Sequence, residues 1–433
     1  MSSEPRGDGG RGRERFRLRR VAAADAARAR QPALPPGMIG PVLEIIESVR
    51  EGGEARLREF AERWDGLEAG GALVRTPREM HAALESLPRG DREVLERTAG
   101  RIEHFARAQL ESGAPVDVEV EGGRAGDRLV PVRVAGCYAP GGRFPLPSSV
   151  LMTAVTARVA GVREVWLASP NPSRVVMAAG AVAGVAGLLG AGGAQAVAAM
   201  AYGVPPSPQC DVVVGPGNQW VTTAKLLVSG VVGIDLLAGP SELVILSDEQ
   251  GDPALVAADL LAQAEHDPAA LPILVSTSAE LVRRVEHELA RQLTGLPTAA
   301  TAARALQNGF AVVAPEKEAI HCCEELAPEH LHLHGSRTEA WGRLLDRFGA
   351  LFVNESVTEV FGDYGAGPNH TLPTGGTARF TGGLSVFHFL RRPTWLRLHE
   401  GPARDRLALD AAALARMEGL EAHARAAELR LRR

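Results

Sequence analysis

The chain has 433 residues, 45% of them hydrophobic and 23% charged, which is too long for one simple core and predicts two or more lobes. A net charge of −5 and 4% aromatic residues exclude a general nucleic-acid or anionic-membrane binder, and no apolar run of about 18 residues is free of charge and glycine, so no membrane span is predicted. The four cysteines, Cys137, Cys210, Cys322 and Cys323, form no CxxC pair and read as reduced thiols of a cytoplasmic protein.

Residues 1–36 are rich in Arg, Gly and Pro but lack the apolar stretch of a secretory signal, and predict a partly disordered extension. Glu4, Asp8 and Glu14 interrupt a transit-peptide reading. Val42, Ile45, Ile46 and Val49 then set a helical stripe, continued past Gly52-Gly53 by Leu57, Phe60 and Trp64. Asp91 is placed to cap a helix running through Ile102 and Phe105.

From about residue 128 short β-rich runs alternate with helical ones. The runs are Leu129 to Val134, Glu164 to Ala168, Asp211 to Val214, Leu243 to Leu246, Pro272 to Val275, Phe310 to Val313 and Ala350 to Val353. Helical segments lie between them, among them Ser149 to Val159, Val176 to Leu188 and Gln219 to Val228. The alternation predicts an α/β protein with two mostly parallel sheets, covered on both faces. The last 50 residues depart from it: Asp405 to Arg425 reads as one or two Ala/Leu-rich helices, a small tail able to reach away from the main body.

Several stretches carry candidate chemistry. Ala257 to Pro268 reads as the end of a helix with Leu255, Ala258, Leu261 and Ala262 inward. Gln263 and His266 share a face three residues apart and could hold a divalent metal with ligands from elsewhere; capping and solvation explain the pair as well. Gly136 to Arg143 follows a strand and reads as a tight turn able to approach a ligand. Gly187 to Gly193 has the wrong spacing for a dinucleotide fingerprint, and close packing of an Ala/Gly helix accounts for it. Gly215-Pro-Gly-Asn218 follows an apolar run and places Asn218 where ligands meet the carboxyl ends of parallel strands. Ser241 either bonds a substrate or closes a turn.

Glu329 and His330 open the alternating run Leu331-His332-Leu333-His334, which predicts a half-buried strand with the histidines outward. A carboxylate beside an imidazole supplies two bases of different pKa; a polar strand edge is the plainer reading. Phe361 to Gly376 is dense in Gly, Pro and Asn, and offers Asp363 and His370. Glu418 and His423 lie on the tail helix, five residues apart.

Taken in order, the motifs YAPGGRFPLPSSVLM, DVVVGPGNQWVTTAK, GIDLLAGPSE, LLAQAEHD, APEHLHL, FGDYGAGPNHTLPTGGTARFTGGLSV and EGLEAH resemble the histidinol dehydrogenase family from about residue 40 to 430. The resemblance implies two Rossmann-like lobes without the usual glycine fingerprint. Residues 37–137 and 241–384 would form the lobe carrying metal and acid/base residues, 138–240 the NAD-binding lobe, and 385–433 a helical tail crossing to a partner subunit. It implies one Zn²⁺ per subunit, on Gln263, His266, Asp363 and His423, with Glu329 and His330 as the acid/base pair. Substrate contacts would fall on Ser241, His370 and Glu418 beside the ligands Gln263 and His266, and NAD contacts on Tyr138, Gln195 and Asn218. The implied protein is a homodimer with shared sites that oxidises L-histidinol through histidinal to L-histidine. A paralogue oxidising another polar alcohol, such as a sulfonated diol, and a catalytically silent zinc-binding component are the alternatives. Cys137 and His332 depart from the family pattern, and residues 1–36 match nothing in it.

Overall fold

The computed structural model describes residues 17–30, 37–141 and 144–431. The chain enters with β1 (Arg19–Arg20) and runs through the helices α1 (Ile39–Trp64), α2 (Pro77–Glu85) and α3 (Arg89–Glu111), with β2 (Val74–Arg75) after the first. A short antiparallel pair, β3 (Asp117–Val120) and β4 (Gly123–Asp127), leads through β5 (Val130–Pro131) into β6 (Val134–Tyr138). Then strand and helix alternate: α4 (Pro147–Val159), β7 (Glu164–Ala168), α5 (Arg174–Ala183), β8 (Gly187–Leu189), α6 (Gly193–Tyr202), β9 (Val212–Val214), α7 (Gln219–Val228) and β10 (Gly233–Ile234). A second run follows with β11 (Glu242–Ser247), α8 (Pro253–His266), β12 (Leu271–Ser276), α9 (Ala279–Leu293), α10 (Ala299–Asn308), β13 (Phe310–Val313), α11 (Glu316–Leu326) and β14 (His330–His334). It closes with α12 (Thr338–Gly342), β15 (Ala350–Val353) and α13 (Glu359–Asp363). The tail holds β16 (Leu390–Arg391), β17 (Thr394–Leu398), α14 (Pro402–Met417) and α15 (Glu421–Glu428).

Twelve of these strands form two six-stranded sheets, ordered β10-β9-β6-β7-β8-β2 and β1-β13-β12-β11-β14-β15; the others pair as β16-β5 and β17-β4-β3. All pairings in the two large sheets are parallel except β2 on β8. Each order reverses once, between β6 and β9 in one sheet and between β11 and β14 in the other. Both sheets are packed on both faces, which is why strands such as β9, β11, β12 and β13 are largely apolar runs. No helix among the described residues is long and apolar enough to cross a membrane.

Several expectations are corrected. Residues 17–30 are ordered: Leu18 and Ala26 are buried, β1 adds to the edge of β13, and the Val21 N–H donates to the Ala311 carbonyl at 3.0 Å. Positions 1–16, 31–36, Gly142 and Arg143 lie outside the described residues. Helices α1, α2 and α3, assigned by resemblance to the metal-bearing lobe, pack on α6, α5 and α4 of the other sheet, because their apolar stripes complete its two cores. The strand foreseen over Leu129 to Val134 is instead centred on Val134–Tyr138. Gly136 is a strand residue and not part of a turn; a Cβ there would lie 2.7 Å from Met200 Sδ. Gly187 to Gly193 is a strand, a turn and a helix start, with Gly192 as N-cap of α6, and not a packed helix.

Lys225, one of the chain's two lysines, is buried on α7 and pairs with the Asp235 carboxylate. Its ammonium donates to the Gly215 carbonyl at 2.9 Å, while Asp235 Oδ2 accepts from the Gly215 N–H at 2.7 Å. The pair thereby pins the turn after β9. Removing one partner leaves a buried, uncompensated charge. Lys225→Met should therefore cost about 3–5 kcal/mol in chemical denaturation, and Lys225→Met/Asp235→Leu should recover a large part of it.

Candidate active site

The last turns of α8 face the amino ends of β11 and β14. Gln263 and His266 come from α8, Ser241 and Glu242 from the start of β11, and Glu329 and His330 from the start of β14. Ala327 ends α11 in the left-handed region (φ 40°), and Pro328 then directs the chain into β14. Asp363 closes α13, and His370 lies in the glycine-rich stretch beyond it.

One chain of hydrogen bonds fixes the orientation of these groups. Ser241 Oγ–H donates to Glu329 Oε2 at 2.7 Å, and the Glu242 N–H donates to the same oxygen at 2.8 Å. The serine proton is then spent, so Ser241 Oγ accepts from Gln263 Nε2 at 2.9 Å. This assignment sets the Gln263 amide: its Oε1 faces the other way, buried and without a partner. Asp363 stands between two imidazoles, with Oδ2 3.3 Å from His266 Nε2 and Oδ1 3.5 Å from His330 Nε2. His370 Nδ1–H donates to the Asp363 carbonyl at 2.8 Å, which leaves an acceptor at Nε2, 3.4 Å from Ser149 Oγ.

Burial and neighbouring charge compete here. Burial alone would raise the Asp363 carboxyl, but hydrogen bonds with His266 and His330 hold it far below the usual range. Burial opposes protonation of His330, yet the Glu329 and Asp363 carboxylates lift that imidazole to about 10. The bond to Asp363 also raises His266. Burial raises Glu329 and lowers His370. Gln263 Oε1, His266 Nε2 and Asp363 Oδ2 are a nitrogen and two oxygens of the kind a divalent metal takes, and the unpartnered Gln263 oxygen fits such an ion.

The second sheet supplies another site, at carboxyl ends. Tyr138 ends β6, and Gly215 to Asn218 follows β9, so both lie where the strand order reverses. Tyr138 Oη accepts from the Gly193 N–H at 3.1 Å, and Gln195 Nε2 donates to Asp65 Oδ2 at 2.9 Å. Asn218 Oδ1 caps α7, accepting from Trp220 and Val221. Glu418 and His423 are exposed on the tail hairpin, and no hydrogen bond or ion pair among the described residues ties either to the groups above.

The β14 strand is not half-exposed: His330, His332 and His334 are all buried under α8. On α8 Leu261 packs inward as expected, together with Val256, Ala257, Leu260 and Ala264, whereas Leu255 and Ala258 are exposed. Sequence reasoning missed Glu242, pushed up to about 7 by burial against the pull of Arg30. It also missed Asp259, which meets His332 and His334 in a buried cluster. The available signal was an acidic residue four positions before Gln263 in an otherwise apolar turn. Searching carboxyl ends alone would also have missed the site, which sits at amino ends of its sheet.

A family model described as histidinol dehydrogenase matches residues 33–431. The histidinol dehydrogenase of Thermus thermophilus is 45% identical over 419 residues, spanning 95% of this chain and 100% of that protein. That of Pseudomonas syringae pv. syringae is 43% identical over 398 residues, 90% of this chain and 88% of the relative. A crystal structure of histidinol dehydrogenase from Elizabethkingia anophelis aligns with a TM-score of 0.89 at 28% identity, covering 96% of this chain and 98% of that one.

In metal-free protein the His330 imidazole should titrate at about 10 by NMR, above its unfolded value, so the stability it adds is full below that unfolded value and is lost as pH rises through about 10. Asp363→Asn should lower that titration. An unmoved titration in this variant would remove Asp363 from the account.

Proposed function

The chain belongs to the histidinol dehydrogenase family, and from that premise we propose that it oxidises L-histidinol through histidinal to L-histidine, passing two hydrides in turn to NAD. The single observation that carries the reading is the hydrogen-bond chain Gln263–Ser241–Glu329, which leaves one buried amide oxygen free beside His266 and Asp363. Gln263, His266 and Asp363, with His423 from a second copy, would hold zinc, which when bound would supply a Lewis-acidic anchor for the substrate's imidazole and amine. Tyr138, Gln195 and Asn218 would orient NAD, whose nicotinamide accepts the hydride.

The protein's own groups account for the proton movements. His330 is the base for the alcohol. Its high pKa comes from Glu329 and Asp363, so sharing the Asp363 charge with a divalent ion weakens the hold on that proton and frees the nitrogen. Glu329 has both its hydrogen bonds on Oε2, so its other oxygen can take a proton from the water that adds to the aldehyde. Burial raises its carboxyl and makes it a better base. His330 then takes the next proton as the second hydride leaves. Neutral His370 offers an acceptor at Nε2 to the substrate, and Glu418 of a second copy offers a counter-charge to its amine.

The tail supports a homodimer with exchanged hairpins. Leu409, Leu414, Met417 and Leu420 are exposed on it beside Glu418 and His423, an apolar face that docking on a second copy would cover.

Two NADH per histidinol consumed is the expected stoichiometry; turnover of other polar alcohols with none of histidinol would sink the reading. Glu329→Gln should impair aldehyde-to-acid oxidation more than reduction of the aldehyde to the alcohol, and His330→Ala should damage both; equal losses for the Glu329 variant would cancel its assigned role. Co-refolding inactive Glu329→Gln with inactive His423→Ala should recover roughly a quarter of wild-type activity, since about half the dimers are mixed and each carries one intact site. Mixed dimers with no activity would show that each site is built within one chain.

A further inference from the structure

A second set of donors converges nearby, and no step above uses it. Asp259 lies one turn before Gln263 on α8, and His332 and His334 follow His330 on the same face of β14. Asp259 Oδ2 is 3.1 Å from His332 Nδ1 and 3.2 Å from His334 Nε2, and those nitrogens are 3.2 Å apart. A tetrahedral zinc site with bonds of about 2.0–2.1 Å has edges of about 3.3–3.4 Å. The three distances therefore outline one face of such a site.

We propose that Asp259, His332 and His334 form a second, structural zinc site, with Glu359 as the fourth ligand. Glu359 is 1% exposed; its Oε2 is 3.9 Å from His332 Nδ1, and its Oε1 is buried without a partner. The surrounding groups orient each ligand. His332 Nε2 lies 3.0 Å from the Asn354 carbonyl, which can only accept, so Nε2 carries the proton and Nδ1 turns its lone pair to the cluster. His334 Nδ1 faces the Glu355 carboxylate at 3.8 Å, leaving Nε2 inward. Thr358 Oγ1–H donates to Asp259 Oδ1 at 2.9 Å and frees Oδ2. Without an ion, a lone pair and a carboxylate oxygen meet at 3.1 Å unless His332 takes up a second proton. Two carboxylates and two neutral imidazoles balance one divalent charge.

The cluster sits toward the carboxyl ends of β11 and β14, where the strand order reverses, whereas Glu329 and His330 sit at their amino ends. The ion would tie α8 to β14, the two elements that carry Gln263, His266 and His330. The sequence departure at His332 becomes a ligand.

Full-length protein loaded with Zn²⁺ and freed of excess should hold two zinc per chain by elemental analysis. Asp259→Asn and His334→Ala should each lose one equivalent, His266→Ala should lose the other, and His266→Ala/His334→Ala should hold none. In crystals of His266→Ala, the anomalous signal at the zinc edge should peak between Asp259, His332 and His334; this result decides the matter even if the His334 variant does not fold. If His266→Ala costs no zinc, the reading of the reaction site fails while the loss in His334→Ala still supports this one. An empty cluster in those crystals, or unchanged zinc content in a folded His334→Ala, overturns the proposal.

Discussion

Helix α8 turns a polar stripe into the protein. Asp259 and Gln263 are buried on it, next to the apolar residues that hold it on the sheet, and buried polar groups are costly unless they are bonded. The strand opposite answers with three imidazoles in a row, His330, His332 and His334, every second residue of β14. Leu331 and Leu333 point to the other core, so a shift of one residue would put leucines under the stripe and imidazoles in oil. The register of β14 is thus set by polarity on one face and by packing on the other. Both donor sets depend on it.

The two sheets use opposite ends. The second sheet offers its carboxyl ends at the reversal between β6 and β9, and the first offers the amino ends of β11 and β14. The stretch after Asp363 joins them: His370 bonds Asp363 on one side and meets Ser149 of α4 on the other, and Asn369 Nδ2 donates to the Met152 carbonyl at 2.8 Å. The backbone that sets the proposed substrate acceptor is therefore held by both lobes.

Much of this was legible in sequence where the pattern was local. The strands at Glu164–Ala168, Phe310–Val313 and Ala350–Val353 have the expected bounds, since apolar runs between turn residues rarely have another solution. Gly136 reads as a turn until Met200 and Cys210 are seen pressing on it. Gly187–Leu189 carries no β-branched residue, and its strand character comes from its neighbours β7 and β2. The histidines of β14 alternate as surface residues do, and only the placement of α8 above them shows that they are covered. The motif residues of the family could be named in order, but the direction of the Gln263 amide follows from Ser241 having one proton to give, which no sequence displays.

The short strand at Arg19–Arg20 has a wider reach than its two residues suggest. The Leu18 N–H and the Arg20 guanidinium both meet the buried Glu286 carboxylate, at 2.7 and 2.9 Å, and Arg30 reaches Glu242, the residue next to Ser241. The match to the family model begins at residue 33, after all of these contacts. A chain trimmed to that match would keep every residue of the proposed reaction site. It would also bare the edge of β13, a template for pairing with other chains, and strand two carboxylates in the interior. The unit that folds is thus longer than the segment the family model matches.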